Sequence, residues 1–210
     1  MDASLHRHLS AQERPVISLE GTRKLPAHRH GQLQALAAWL GTEFPRAIFR
    51  SGNAEGTDAV FADAVAACDP ARLELVLPHA GMGRKRRPSG ARCVALEAMP
   101  DADLERVVAV TREAGRDAGR LGDYYLTHRH GPGSAATSKA TFLLRDTLKV
   151  TGAETLGLMR QCGDILCPRS RPHRRRHWPH DQGVRRAERS GGHAGGVGEL
   201  GAGGWCGITR

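Results

Sequence analysis

The stretch Ile48–Ala67, IFRSGNAEGTDAVFADAVAA, decides the fold. Ile48 and Phe49, flanked by Arg46 and Arg50, make a short β-prone run that stops at Ser51-Gly52. From Asp58 onward Val60, Phe61, Ala64 and Val65 recur at helical spacing and give one apolar stripe. Between them lie two glycines and a few small polar or acidic residues. A strand, tight loop and helix joined in this way expose backbone N–H groups at the helix N-terminus, where the helix dipole favours an anion. Gly52 and Gly56 permit a positive φ and a close approach of ligand to backbone. The same composition also describes an ordinary βα turn with Thr57 or Asp58 as N-cap, so the flanking sequence has to separate the two readings.

Working outward, Val16–Leu19 reads as a first strand ending at Glu20-Gly21-Thr22-Arg23-Lys24. A helix follows, with Leu33, Leu36, Ala37 and Leu40 on one face. Asp69-Pro70 ends the Asp58–Cys68 helix, and Leu73–Leu77 forms a third strand stopped by Pro78. Strands and helices that alternate in this way predict a Rossmann-like, doubly wound parallel sheet in a single α/β domain. His79–Pro100 is irregular and holds a basic loop, GMGRKRRPSG. It reads as solvated surface or as a source of cations over a bound phosphate. Asp103–Ala114 and Ser138–Val150 read as helices, Leu121–Gly133 as loop, and Gly163–Cys167 as the start of a fourth parallel strand. The paired histidines at 28/30 and 128/130 fall in Arg- and Gly-rich sequence without carboxylates, so solvated loops are expected and no metal site is assigned.

The 210 residues suffice for one substantial domain, and residues 1–14 are expected to be a flexible leader to it. No run approaches the ~20 apolar residues of a membrane span, and MDASLHRHLSAQERP has no apolar core of a secretory signal. Five scattered cysteines form neither a disulfide framework nor a zinc pattern. A reduced, cytoplasmic protein is expected. The net charge of +9 suggests nucleic acid, yet residues 168–210 carry nine arginines against three acids, leaving only +3 for the rest.

VISLEGTRKLP, IFRSGNAEGTDAVFADAV and the Leu144-Arg145-Asp146 helix together resemble the SLOG group of Rossmann-like proteins. That group includes the DprA/Smf proteins and the LOG (lysine-decarboxylase-like) phosphoribohydrolases. The resemblance spans roughly residues 15–166 and is closest to small, stand-alone bacterial members, with the Ser51–Asp58 block as its specific element. It implies a pocket for a nucleotide or nucleotide derivative. Gly21, Thr22 and Arg23 would line one side, and Ser51, Gly52, Asn53, Gly56, Thr57 and Asp58 the other. Arg145 matches an arginine that faces the pocket, with Asp146 where the family has asparagine. Asn53 stands where the family pattern has a second glycine. No cofactor beyond the nucleotide is implied, and a homo-oligomer is possible.

The family also carries a second, glycine-rich phosphate loop after its fourth strand. Here residues 168–210 follow, with ten glycines and few aliphatic residues, a composition that cannot bury a core. Read back through the genetic code one nucleotide later, His173–Gln182 permits Thr-Ala-Gly-Gly-Thr-Gly-His-Thr-Ile-Arg, which contains the missing loop. Residues 168–210 are therefore read as out of frame. The competing expectation is a genuine disordered Arg/Gly-rich tail that adheres to RNA or DNA through phosphate contacts.

Three functions follow. The leading expectation is a sensor or carrier domain that binds a nucleotide through loops 21–23 and 51–58. The alternatives are a LOG-like nucleoside-monophosphate phosphoribohydrolase and a nucleic-acid binder acting through the tail. Hydrolysis would need a carboxylate beside the anomeric carbon; the LOG motif PGGxGTxxE is missing from the sequence, and Glu55 is the substitute candidate.

Overall fold

A computed structural model describes residues 3–161 and 163–166, with side chains for residues 6–161. Residues 168–210, and with them the expectations of a disordered or out-of-frame tail, lie outside the described residues. The elements are α1 (Ala3–Ser10), β1 (Val16–Glu20), α2 (His30–Glu43), β2 (Ile48–Ser51), α3 (Thr57–Cys68), β3 (Leu73–Leu77), β4 (Arg92–Ala95), α4 (Asp101–Glu113), α5 (Arg116–His128), α6 (Ala135–Thr151) and β5 (Gly163–Leu166), joined by short 3-10 turns. Among the described residues no helix is long and apolar enough to cross a membrane.

The five strands run parallel in the order β4-β3-β2-β1-β5, which is the doubly wound α/β arrangement that the strand–helix alternation predicts. The order places β1 between the second strand and the last, so the sheet grows first one way from β1 and then the other. Sheets with such a switch point bind ligands outside the carboxyl ends of their strands.

Because successive side chains alternate across a strand, each face of the sheet has its own composition. Ile17, Leu19, Phe49, Leu73, Leu75 and Leu77 point to one face and pack with Leu33, Ala37 and Leu40 of α2 and Phe61, Ala62 and Val65 of α3. The other face meets α4, α5 and α6 through Val76, Val94, Leu104, Val107, Val108, Tyr125, Ala140, Leu144 and Leu148. That second face is partly polar, with Ser18, Arg50 and Glu74 buried in it.

Four local expectations need correction. The first 14 residues are not simply a flexible leader, since α1 forms there and Leu9 is buried in the α2–α3 core. His6 Nε2 reaches Glu43 Oε1 at 2.5 Å and its ring lies against Phe44. The span read as loop over Leu121–Gly133 is helical to His128. Of its glycines, Gly122 lies inside the helix: Cβ atoms at Gly119 and Gly122 would come within 3.2 Å of Arg112 Cγ and 3.1 Å of Val108 Cγ1, so these two glycines let α5 lie close on α4. The irregular span after His79 contains β4, a four-residue edge strand half exposed at Arg92 and Cys93. Edge strands need no continuous apolar run, and so β4 left little trace in the sequence. Gly163–Leu166 is accordingly the fifth strand, and it pairs with β1.

The polar side of the sheet contains a continuous row. Ser18 lies opposite Arg50, Arg50 opposite Glu74 and Glu74 opposite Arg92, across four adjacent strands. Arg50 is fully buried, and all three of its guanidinium nitrogens donate hydrogen bonds. Its Nε and Nη2 donate to Glu74 Oε2 at 3.0 and 2.8 Å, Nη1 donates to the Lys149 carbonyl at 2.7 Å, and Nη2 also reaches the Met159 carbonyl at 2.9 Å. Arg92 Nη1 donates to the other Glu74 oxygen at 2.9 Å. The guanidinium thus ties the sheet to the last turn of α6 and to the segment leading to β5. Removing one member of a buried pair strands the other's charge, which typically costs about 3–5 kcal/mol. Arg50→Met is expected to lower unfolding stability by about that amount, read by urea denaturation. Arg50→Met/Glu74→Leu should recover part of the loss, and a single variant as stable as wild type would contradict this account.

Candidate functional site

The loops that follow β1, β2 and β3 lie at the carboxyl ends of adjacent strands, and the β1 and β2 loops are packed into each other. Thr57 donates both its backbone N–H and its hydroxyl to the Thr22 carbonyl, each at 3.0 Å. The residue that caps α3 is Gly56 rather than Thr57 or Asp58. Gly56 has φ 81°, and a Cβ there would stand 2.5 Å from the carbonyl oxygens of Thr22 and Arg23. A Cβ at Gly21 would stand 2.6 Å from Thr57 Cγ2. Both glycines are therefore required by loop-on-loop packing. One N–H at the start of α3 is correspondingly committed to the protein's own backbone.

The middle of the β2 loop is bound to α6. Arg145 Nη1 donates to the Gly52 carbonyl at 3.1 Å, and a Cβ at Gly52 would sit 1.8 Å from that nitrogen. Any side chain at position 52 would displace the guanidinium. Arg145 also pairs with Asp146 Oδ1 at 3.1 Å, and its Cζ lies 5.5 Å from the Phe142 ring centroid. Arg23, from the β1 loop, reaches the same ring at 6.0 Å. Asn53 takes φ 54°, the left-handed region that asparagine tolerates better than most residues. The β2 loop thus makes its left-handed turn at this position without a glycine. Its side chain is 3% exposed, and Nδ2 has no hydrogen-bond partner among the described residues; the same holds for Nε of Arg145. Buried donors without partners are rare in folded proteins.

Beneath these loops lies a charged cluster that the sequence reading did not assemble. Lys149, 2% exposed, makes a short contact with Glu20 Oε1 at the end of β1 and reaches Asp146 Oδ1 at 3.0 Å. Ser18 Oγ donates to the same Glu20 oxygen at 3.0 Å. Asp58 is buried beside them. The available signal was spacing: Arg145 and Lys149 are one turn apart on an otherwise apolar helix face, which directs both toward the sheet. Glu55, the catalytic candidate, stands at the rim with its side chain 78% exposed, 3.7 Å from Arg86. Ser51 is buried, and its Oγ accepts a long bond from the Asn53 N–H at 3.4 Å. The histidine pairs lie elsewhere: His28 in a 3-10 turn, His30 at the start of α2, and His128 in α5, stacked on Tyr124. A cavity of about 650 Å³ lies away from the strand-end loops, between α4 and the 151–160 segment, with Val107, Val110, Leu158 and Met159 on its walls.

Burial is the largest influence on Asp58 and pushes its carboxyl above the ordinary 3.8. Lys149 pulls it back, Glu20 adds to the rise, and the Ala54 backbone bond and Arg145 oppose it. An acid whose folded pKa exceeds its unfolded value holds its proton more tightly when folded. Its contribution to stability is therefore present at low pH and is lost as the pH climbs through the interval above 3.8. Asp58→Asn removes this titration. Its stability relative to wild type should rise with pH above that value and level off below it, as read from urea midpoints across pH 3–7. Parallel curves would contradict the assignment. No known family model matches the chain, and comparisons with curated proteins and with solved structures likewise give no match.

Proposed function

We propose that the loops at residues 21–23 and 51–58 bind a nucleotide or nucleotide-derived ligand, and that the protein serves as a sensor or carrier domain of the SLOG type. One observation carries the reading: two glycine-dependent loops and Arg145 converge where an open parallel sheet binds ligands, and two buried donors there, Asn53 Nδ2 and Arg145 Nε, have no partner among the described residues. Arg145 is the anion ligand in this reading, since a guanidinium presents a fork that matches phosphate geometry. Asp58 and the Lys149 cluster hold the β2 loop and α6 in register beneath it.

A nucleotide bound to the folded state alone raises its melting temperature, the more so the further its concentration exceeds Kd. Millimolar AMP or ATP should therefore raise the melting temperature of the full chain. Gly52→Val, which evicts the Arg145 guanidinium, and Arg145→Met should each abolish the shift. The nucleotide recovered after incubation should be intact. Release of free base would instead favour the phosphoribohydrolase reading, and Glu55→Gln would then show whether the exposed rim carboxylate contributes. An unchanged melting temperature with every nucleotide would count against nucleotide binding altogether.

A further inference from the structure

The strand order places the β2 loop between the loops of β1 and β3. Both neighbours touch it. Gly56 packs on the carbonyls of Thr22 and Arg23, and Gly83, in the left-handed region at φ 63°, lies where a Cβ would come 2.4 Å from Asn53 Nδ2. The loop between β3 and β4 is also internally braced. Arg87 donates to the Met82 carbonyl at 3.1 and 2.6 Å and makes a short contact with that of Ala80, while the Ala80 N–H donates to Glu97 at 2.6 Å. Bracing of this kind holds the preceding 3-10 turn, Arg84–Arg86, beside the β2 loop.

The charges on this rim are one-sided. Residues 21–24 and 79–91 contain no acid, and Glu55 is the one carboxylate of residues 52–56. Glu55 faces Arg86 at 3.7 Å, which leaves Lys24, Arg84 and Lys85 exposed without an ion pair among the described residues. Arg23 is likewise exposed, with its guanidinium 6.0 Å from the Phe142 ring centroid and no ion pair among the described residues. Arg87, by contrast, is spent on carbonyls. Two pairs of cations therefore flank the loop that holds the unpartnered Asn53 donor and touches Arg145, and concentrated charge of one sign attracts a ligand of the opposite sign.

Resting on the nucleotide-binding reading above, we infer that the ligand carries at least two phosphates, with Arg84 and Lys85 holding the phosphate farther from the ribose. Arg145 and the β2 loop take the nearer one, and Arg23 and Lys24 close the other side. A lone phosphate would leave the β3 loop cations without a counter-charge.

The test is titration calorimetry on the full chain with AMP, ADP and ATP, and with GMP, GDP and GTP, in wild type and in Arg84→Gln/Lys85→Gln. Both positions are exposed, so folding is spared. Charge-assisted hydrogen bonds to phosphate predict that each diphosphate binds wild type about tenfold more tightly than its monophosphate. The variant should lose this increment and keep its monophosphate affinity. The basic segment beyond residue 167 is common to both proteins, so the difference isolates the loop. Equal affinities for mono- and diphosphates in wild type, or equal losses for both in the variant, would overturn the inference and leave nucleotide binding intact. No binding of any of the six would overturn both.

Discussion

The arrangement depends on a charge with no exposure to water. Arg50 sits in the middle of β2 with its guanidinium on the polar side of the sheet. A buried charge is tolerated only when it is paired and its remaining donors are satisfied. Glu74 supplies the pairing, and the carbonyls of Lys149 and Met159 accept the remaining bonds. Such a pair is weak evidence of net stability, because apolar residues of similar volume often serve as well. What it fixes is position: α6 can slide along the sheet only by breaking bonds to a buried guanidinium.

That positional constraint reaches the candidate site directly. Lys149 gives its carbonyl to Arg50 and its ammonium to Glu20 and Asp146, while Arg145, one turn earlier, reaches Gly52. The β2 strand therefore holds α6 at two points, once beneath the sheet's polar face and once at the loop. Gly52 is indispensable because a guanidinium occupies the space of its missing side chain. Fully satisfied buried polar networks of this kind rigidify a structure and help specify one arrangement.

Much of the framework was legible in the sequence because it rests on short apolar strands and clear breakers. Leu73–Leu77 matches its strand residue for residue, and the helices after β1 and β2 differ from the reading only at their ends. Gly122 helped hide α5, since a glycine needed for close helix packing looks like a glycine needed for a turn. Arg92 hid β4 by placing a charge in a four-residue edge strand. At the site, the glycines and Arg145 were named from a resemblance, and the structure brings Arg145 onto Gly52. The cluster of Lys149, Glu20 and Asp58 was not foreseen, because its members lie far apart in the chain and meet only once β1, α3 and α6 are stacked. Asn53 illustrates the converse: it takes a left-handed backbone where the sequence, lacking a glycine, gave no sign of one.

Hydrogen exchange of the full chain with and without ATP tests the central claim most directly. The account predicts added protection confined to peptides covering residues 20–25, 50–60, 80–88 and 140–150, the elements that meet at the strand ends. Protection centred instead on residues 103–110 and 151–160, around the 650 Å³ cavity, would contradict it. Unchanged exchange throughout would do the same.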